Sequence, residues 1–280
     1  MQALNHDPAA ALRLLLVQAE LAWQDPASNR MHLGALIAGY DSSVDRAAAG
    51  SRHVDLIVLP EMFSTGFNMQ PELASETMDG ATVAWMRAQA AATGAVICGS
   101  LAMQTNTGFV NRFLWMRPDG SFEHYDKRHL FRMSGEHEHY AAGRDRLIVE
   151  LSGWRFCPLV CYDLRVPVFS RNGAGAGTLD YDVLLYVANW PAPRQYAWET
   201  LLAARAIENL SYVVGVNRVG NDGNGFAFDG GTCAIGPAGE QLLLARAQTG
   251  VHEVLLSAAM LQPHRERFPA WRDADSFSLR

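Results

Sequence analysis

A carboxylate, an amine and a thiol each follow a short run of residues typical of a β-strand in this 280-residue chain. They are Glu61, Lys127 and Cys161. In open α/β sheets, reactive side chains cluster beyond the carboxyl ends of the strands. The three groups could therefore meet at one site, although each taken alone could equally be a capping residue, a solvated cation or a packed thiol.

The three residue types together fit the needs of a cysteine nucleophile. A thiol is mostly neutral near pH 7 and requires a base or a nearby cation to become a thiolate. Glu61 could accept the thiol proton, and Lys127 could lower the pKa of the thiol and later stabilise an oxyanion. Lys127 stands out further because it is the only lysine among 23 basic residues.

Composition and charge exclude several other classes of protein. The net charge is −6 and no run of Lys or Arg occurs, which argues against a nucleic-acid partner. No stretch of 18 uncharged apolar residues predicts a membrane span, and the N-terminal residues do not resemble a signal peptide, so a cytoplasmic protein is expected. A chain of this size without a signal sequence is not expected to use a disulfide framework, and the absence of a C-x-x-C pair among its four cysteines disfavours a zinc site and a thiol redox protein.

Short apolar runs predict strands, and longer patterns between them predict helices. Hairpins mixed with strand–helix units argue against an all-parallel sheet, and no composition break divides the chain. These features predict an α/β fold with two mixed sheets packed face to face and helices outside, a four-layer α-β-β-α sandwich. The predicted strands are 12–19, 55–59, 95–101, 109–116, 121–125, 147–151, 154–161, 183–188, 211–217, 232–235, 241–244 and 250–256, and the predicted helices are 31–49, 80–93, 196–209 and one that starts at Ser257.

Three separated segments resemble the nitrilase, or carbon–nitrogen hydrolase, superfamily. They contain Glu61, Lys127 and Cys161, in that order, and the resemblance covers the chain from about residue 12 to residue 256. Segments 127–143, 161–165 and 189–194 look most like the bacterial omega-amidase branch. Two positions depart from that pattern: Val166 stands where an aromatic residue is usual, and Gly231-Thr232 replace an Asp-Ser or similar pair. The three segments are 59–63, 127–131 and 160–165, and further matches are 188–191, 205–209 and 236–240.

The resemblance implies a domain division, an oligomer and a fourth site residue. Residues 1–11 would be an N-terminal extension, 12–256 the hydrolase domain, and 257–280 a C-terminal helix and tail that packs on the domain or on a partner. Members of the superfamily pair through their sheets and helices, so a homodimer or a larger homo-oligomer is expected. The fourth residue is a second Glu; Glu136 fits the family spacing to Gly143, and Glu138 does not.

The turn around that second Glu contains two histidines, which raises the hypothesis of a metal site. His137 and His139 alternate along the chain, but the helical H-E-x-x-H pattern of a zinc hydrolase is absent. No metal and no cofactor are therefore expected.

By the same resemblance, the chain hydrolyses a primary amide through a thioester on Cys161. Glu61 would act as general base and acid, while Lys127 and the backbone N–H of Tyr162 would stabilise the oxyanion. The implied substrate is the terminal amide of a 2-oxo dicarboxylate, such as 2-oxoglutaramate or 2-oxosuccinamate. Arginine is the natural ligand for its remote carboxylate. Candidate substrate-binding residues are Arg128, Arg132, Arg165, Asn189, Trp190 and Arg194.

Two alternatives remain open on the sequence alone. The first is another carbon–nitrogen hydrolase, either a nitrilase or an N-carbamoyl amidohydrolase, which would share the same triad. The second is a binding protein without activity on the same fold, although the presence of all three triad residues argues against it.

Overall fold

Two mixed β-sheets packed face to face form the centre of the molecule. The computed structural model describes residues 8–43, 53–173, 179–275 and 277. The strands are β1 Ala11–Gln18, β2 Leu56–Val58, β3 Val96–Thr105, β4 Gly108–Met116, β5 Phe122–Asp126, β6 Val149–Leu151, β7 Trp154–Val160, β8 Val183–Val187, β9 Tyr212–Val216, β10 Val219–Asn221, β11 Ala227–Ile235, β12 Gln241–Arg246 and β13 Gly250–Ser257.

Helices connect these strands and cover the outer faces of the sheets. Three of them begin at a proline, whose fixed φ angle and missing N–H suit the first helical turn. The helices are α1 Pro26–Ser43, α2 Pro71–Ala74, α3 Ala81–Thr93, α4 Glu136–His139, α5 Pro167–Ser170, α6 Gln195–Asn209 and α7 Ala258–Arg267, with 3-10 turns at Arg132–Ser134, Cys161–Arg165, Ala192–Arg194 and Ala270–Asp273.

The first sheet has the strand order β13-β1-β2-β3-β4-β5. Strands β1, β2 and β3 run parallel, whereas β13 and the hairpin strands β4 and β5 pair antiparallel with their neighbours. The parallel strands are apolar on both faces because both faces are covered. Their carboxyl ends therefore open on the same edge, where Glu61 lies.

The second sheet has the order β10-β11-β9-β8-β7-β6, and β12 pairs with β11. Its centre is again parallel, with β7, β8 and β9 side by side. The carboxyl end of β7 leads directly into Cys161, and that of β8 leads to Asn189. The site residues thus come from the strand ends of both sheets.

The inner faces of the two sheets make one continuous apolar core. Leu14 and Trp115 from the first sheet belong to the same buried cluster as Phe156 and Leu184 from the second. The Trp115 and Phe156 rings touch across the interface, with centroids 5.2 Å apart. A second cluster on the outer face of the first sheet includes Leu33 of α1, and also buries residues of α3.

Helix α6 packs on the outer face of the second sheet at a glycine. A side chain at Gly215 would place its Cβ 2.7 Å from Leu202 and 2.8 Å from Trp198. Glycine at this point of β9 therefore lets the helix approach the sheet closely. Helix α7 is held by Arg265, whose guanidinium contacts Asp182 at 2.6 Å and the Leu210 carbonyl at 2.8 Å.

The predicted fold class, two mixed sheets packed face to face with helices outside, is confirmed. The element boundaries differ in part. Helix α1 starts at Pro26 rather than residue 31, because Asp25 accepts the N–H of Ser28 at 3.0 Å and caps its first turn. Its predicted end, residues 44–49, lies outside the described residues. Strand β10 was not predicted, and β7 ends at Val160, so Cys161 belongs to the following turn rather than to the strand.

The N-terminal segment joins the sandwich within its described part. Ala11 pairs with Ser257 at the start of β1. Ala9 donates its N–H to Ser152 at 2.9 Å and accepts the indole N–H of Trp154 at 3.0 Å. Residues 1–7 of the expected extension, and residues 276 and 278–280 of the expected tail, lie outside the described residues.

Among the helices that the structure does describe, none has the length and apolar character to cross a bilayer.

Candidate active site

Lys127 lies between two carboxylates in the interior of the protein. Its Nζ is 3.0 Å from Glu61 Oε1, and 3.0 and 2.9 Å from Glu136 Oε1 and Oε2. All three side chains are fully buried. Glu138, the alternative to Glu136, is 69% exposed and therefore lies outside this buried cluster. The strand ends thus bring Glu61 and Lys127 together, and the second carboxylate beside the lysine is Glu136.

The carboxylate of Glu61 is held by amide donors from both sheets. The backbone N–H of Asn189 donates to Oε2 at 2.8 Å, and Asn111 Nδ2 donates to Oε1 at 2.9 Å. Asn189 Nδ2 also donates to the Glu61 carbonyl at 2.5 Å. These contacts fix the carboxylate in one orientation, as a general base requires.

Glu136 stands at the start of α4, where a short loop closes back on the lysine segment. Phe131 donates its N–H to Glu136 Oε2 at 2.6 Å. Further along the loop, Gly143 donates to the Lys127 carbonyl at 2.9 Å, and a Cβ at Gly143 would lie only 1.9 Å from the Asp126 carbonyl. The loop that carries Glu136 can therefore close only with glycine at position 143, which gives the Glu136–Gly143 spacing a physical reason.

Cys161 lies on a sharp turn between β7 and the 3-10 turn that follows. Its φ angle is +45°, a left-handed conformation that is rare for a residue with a side chain. Such strain persists only where the surrounding structure holds it, and it is common at functional sites. The other three cysteines, Cys98, Cys157 and Cys233, are buried in the core, whereas Cys161 is partly exposed.

The electrostatics of the cluster favour a charged lysine and a neutral thiol. Burial alone would lower the pKa of Lys127, but the carboxylates of Glu136 and Glu61 outweigh it and raise that pKa above its usual value. Burial and the nearby charge of Glu61 raise the pKa of the Cys161 thiol well above its usual range, and Lys127 only partly opposes this. The charge that acts most strongly on the thiol is that of Glu61, so a proton acceptor lies close to it.

The Cys161 side chain faces a cavity of about 850 Å³. Its wall combines polar groups near the thiol with apolar side chains such as Phe67 and Phe226. A mostly apolar pocket with a few convergent polar groups is typical of small-molecule sites. The candidate residues that line it are Tyr162, Arg165, Asn189, Trp190 and Arg194.

Two of the four candidate arginines lie elsewhere. Arg128 donates to the Arg144 carbonyl at 2.6 Å and stacks on Phe169, so its guanidinium faces away from the cavity. Arg132 is exposed in the 3-10 turn that precedes α4 and does not line the cavity either. Two arginines therefore remain as candidates to bind a substrate carboxylate. Arg165 lies over the Trp190 ring, and Arg194 lies over the Phe131 ring.

The two departures from the family pattern lie beside the cavity wall rather than in the cluster. Val166 packs against the core next to the cysteine turn. The Thr232 hydroxyl accepts the N–H of Asn217 at 3.1 Å, and Asn217 in turn accepts the N–H of Trp190 at 2.8 Å. Thr232 therefore supports the Trp190 backbone indirectly, through Asn217.

The histidine-containing turn shows no grouping for a metal. His137 and His139 belong to α4, and no set of three or more His, Cys, Asp or Glu side chains in the described part of the chain is placed to bind an ion.

Sequence reasoning missed Asn111, which bridges the two carboxylates. Its Nδ2 lies 2.9 Å from Glu61 Oε1 and 3.3 Å from Glu136 Oε1. The residue is fully buried within β4, and its carbonyl accepts the N–H of Lys127 at 2.9 Å. The one available signal was an asparagine inside an otherwise apolar strand, where a polar side chain needs a partner.

We expect Asn111→Leu to lower kcat roughly ten- to a hundredfold, because each carboxylate loses a hydrogen bond of about 1.5–3 kcal/mol. Steady-state kinetics would measure the loss. Asn172→Leu is a matched control, since Asn172 is a buried asparagine that bonds to Tyr181 and Asn209 outside the site. The control should lower the melting temperature and leave kcat unchanged. Equal kcat values for both variants would show that Asn111 has no role in turnover.

Fold and cluster together define a class of hydrolase. The carbon–nitrogen hydrolase family model matches residues 13–266, and the chain belongs to this family. It is therefore a hydrolase of carbon–nitrogen bonds other than peptide bonds.

Within this family, the chain is similar to two named amidases and to one solved structure along most of its length. The chain is 50% identical over 269 residues to the omega-amidase YafV of Escherichia coli K12, covering 96% of this chain and 98% of that one. It is 34% identical over 229 residues to the 2-oxoglutaramate amidase of Bacillus subtilis, covering 80% and 86%. A crystal structure of a superfamily protein from Xanthomonas campestris, with an arsenic adduct in its active site, superposes with a TM-score of 0.90 at 50% identity, covering 97% of this chain and 100% of that one.

Proposed function

We propose that this protein is an omega-amidase that hydrolyses the terminal amide of a 2-oxo dicarboxylate by way of a Cys161 thioester. The observation that carries the proposal is the fully buried Glu61–Lys127–Glu136 cluster beside the one cysteine that faces the cavity. The names of the relatives from E. coli and B. subtilis supply the substrate class.

Acylation begins with transfer of the thiol proton to Glu61. Because the pKa of the Cys161 thiol is raised, attack on the amide carbonyl requires this base at the moment of reaction. The charge that develops on the carbonyl oxygen is stabilised by Lys127 Nζ and the backbone N–H of Tyr162. Glu61 then gives its proton to the amide nitrogen, the C–N bond breaks, ammonia leaves, and the acyl group remains on sulfur.

Deacylation uses the same groups in reverse. Glu61 takes a proton from water, the hydroxide attacks the thioester carbonyl, and the same donors hold the oxyanion. The C–S bond breaks, the thiol recovers its proton from Glu61, and the dicarboxylate is released. Throughout, Glu136 keeps Lys127 charged and in place, because it supplies two of the three carboxylate oxygens around Nζ.

A side-by-side assay of ammonia release tests the proposal. The panel is 2-oxoglutaramate, 2-oxosuccinamate, glutamine, asparagine, a nitrile and an N-carbamoyl amine. We expect the first two to be hydrolysed with the highest kcat/KM. A preference for the nitrile or the carbamoyl compound would assign another activity of the same family, and no turnover of any compound would favour a binding protein without activity.

For the remote carboxylate of the substrate, we expect Arg194 to contribute more than Arg165. Arg194 is partly buried and Arg165 is exposed, and a charge pair is stronger where water is excluded. Arg194→Gln should raise KM roughly ten- to a hundredfold through loss of a charged hydrogen bond of about 1.5–3 kcal/mol, with a smaller change in kcat.

Arg165→Gln and Arg132→Gln complete the series of arginine variants. We expect Arg165→Gln to raise KM less than Arg194→Gln, and Arg132→Gln, outside the cavity, to leave KM unchanged. A normal KM for 2-oxoglutaramate in both Arg165→Gln and Arg194→Gln would contradict carboxylate binding by this wall.

The expected homo-oligomer and cytoplasmic location form part of the proposal. Exposed apolar side chains on α5 and α6, namely Val168, Tyr196 and Ile207, offer a surface for a second copy. Trp190 and Trp198 do not contribute to it, because both are buried within the chain. Sedimentation at micromolar protein should give at least twice the mass of the 280-residue chain; a single monomeric species would contradict the proposal.

A further inference from the structure

One buried carboxylate joins the segment that carries Lys127 to the segment that carries Cys161. Asp163 is fully buried, and both of its oxygens accept hydrogen bonds. Oδ1 accepts the backbone N–H of His129 at 3.1 Å and lies 2.7 Å from His129 Nδ1. Oδ2 accepts the hydroxyl of Tyr125 at 2.8 Å and the backbone N–H of Val160 at 2.9 Å.

On the lysine side, these contacts bracket Lys127 symmetrically. Tyr125 precedes it by two residues and His129 follows it by two. The Tyr125 hydroxyl also accepts the N–H of Arg128 at 3.0 Å, and the His129 ring packs edge-on against Phe169 with centroids 5.2 Å apart. The backbone around the lysine is therefore tied to Asp163 at both ends.

On the cysteine side, the same carboxylate closes the strained turn. Val160 precedes Cys161, and Asp163 follows it by two residues, so the Val160 N–H contact spans the residue with φ +45°. An unusual backbone conformation persists only where neighbouring contacts over-determine it. Asp163 supplies such a contact across the turn.

We infer that Asp163, together with Tyr125 and His129, is a positioning residue that sets the distance between Lys127 Nζ and the Cys161 sulfur. The inference rests on the proposed roles of Lys127 and Cys161, and it adds residues that touch neither the substrate nor the reacting atoms. A carboxylate suits the position because four donors converge on it, whereas an amide in its place would turn a donor towards at least one of them.

Asp163→Asn tests the inference. We expect kcat to fall about a hundredfold, the size of loss that a displacement of about 1 Å produces in an active site, while KM changes little. The second readout is the pH profile of Cys161 alkylation by iodoacetamide. The groups that act on the thiol charge are Glu61, Lys127 and Glu136.

The direction of the alkylation shift separates positioning from a simple charge effect. Loss of the negative charge of Asp163 would by itself lower the midpoint of the profile. Displacement of Lys127 away from the sulfur would raise it, because Lys127 is the group that favours the thiolate. We expect the midpoint to rise.

Two milder variants keep the test valid if Asp163→Asn does not fold. Tyr125→Phe removes one donor and His129→Gln removes the imidazole contact, and each should give a smaller change in the same direction in both readouts. His124→Gln, which changes an exposed histidine on β5, is the control for His129. Asp182→Asn is the control for Asp163, since Asp182 is a buried aspartate that binds Arg155 and Arg265 outside the site.

Lower melting temperatures with unchanged kcat and unchanged alkylation profiles in the Asp163, Tyr125 and His129 variants would overturn the inference and leave a purely structural role. Alkylation needs no substrate, so it reports on the positioning even if 2-oxoglutaramate is not hydrolysed. Failure of the substrate panel and failure of the positioning are therefore separate results.

Discussion

Replacing Cys161 with alanine should abolish hydrolysis and leave the fold intact. The thiol lies close enough to the Glu61 carboxylate to feel its charge, and no other cysteine faces the cavity in the described part of the chain. Without it, no covalent intermediate forms, and we expect ammonia release to fall to the background of the assay. The melting temperature should change little, because the turn at Cys161 is partly exposed and loses only one sulfur atom.

The same experiment has a matched control in Cys157. It lies four residues earlier, in β7, and is buried in the core without lining the cavity, so a substrate there cannot reach it. Cys157→Ala should retain most of the turnover at some cost in stability, and Cys98→Ala and Cys233→Ala should do the same. Substantial turnover in Cys161→Ala would end the thioester mechanism.

Replacing Lys127 with arginine should lower kcat by roughly 10²–10³, although the charge is conserved. The ammonium lies within 3.0 Å of both Glu61 and Glu136 in a fully enclosed site. A guanidinium is larger, planar and directs its donors in a fork, so it cannot meet two carboxylates and an oxyanion from the same point. It would displace Glu61 or the substrate carbonyl.

The alkylation profile of Cys161 adds a second readout for Lys127→Arg. Lys127 favours the thiolate, so a misplaced cation should move the midpoint of the profile to higher pH. Arg128→Lys is the conservative control on the neighbouring residue, whose guanidinium lies outside the cavity. Near-normal kcat with an unchanged profile in Lys127→Arg would show that any cation suffices, and the mechanism would need a different oxyanion donor.

Strand ends and residue types were enough to predict much of the site. Glu61, Lys127 and Cys161 follow strands whose carboxyl ends meet. Glu136 was preferred only through the family spacing to Gly143, and the structure adds that a Cβ at Gly143 would collide with the Asp126 carbonyl. The strand ends and residue types depend on local sequence and on the general direction of parallel strands. For that reason they can be read without coordinates.

Asn111 and Asp163 could not be predicted in the same way. Both act mainly through partners 25 to 50 residues away in the sequence, and the fold alone brings those partners close. Arg128 and Arg132 were predicted to bind substrate but lie outside the cavity. A loop sequence does not indicate which of its side chains face the cavity. The strained turn at Cys161 was likewise interpreted as the end of a strand, because its sequence is apolar up to that residue.

The enclosure of the only lysine gives the protein an unusual surface chemistry. Amine-selective reagents, such as activated esters and reductive methylation mixtures, find no accessible ε-amine, since the Lys127 side chain has no exposure to solvent. Labelling of this residue thus requires the buried cluster around Lys127 to come apart transiently. The rate at which Lys127 is modified, measured by mass spectrometry, would report how often the site opens. The measurement needs no substrate and no engineered probe.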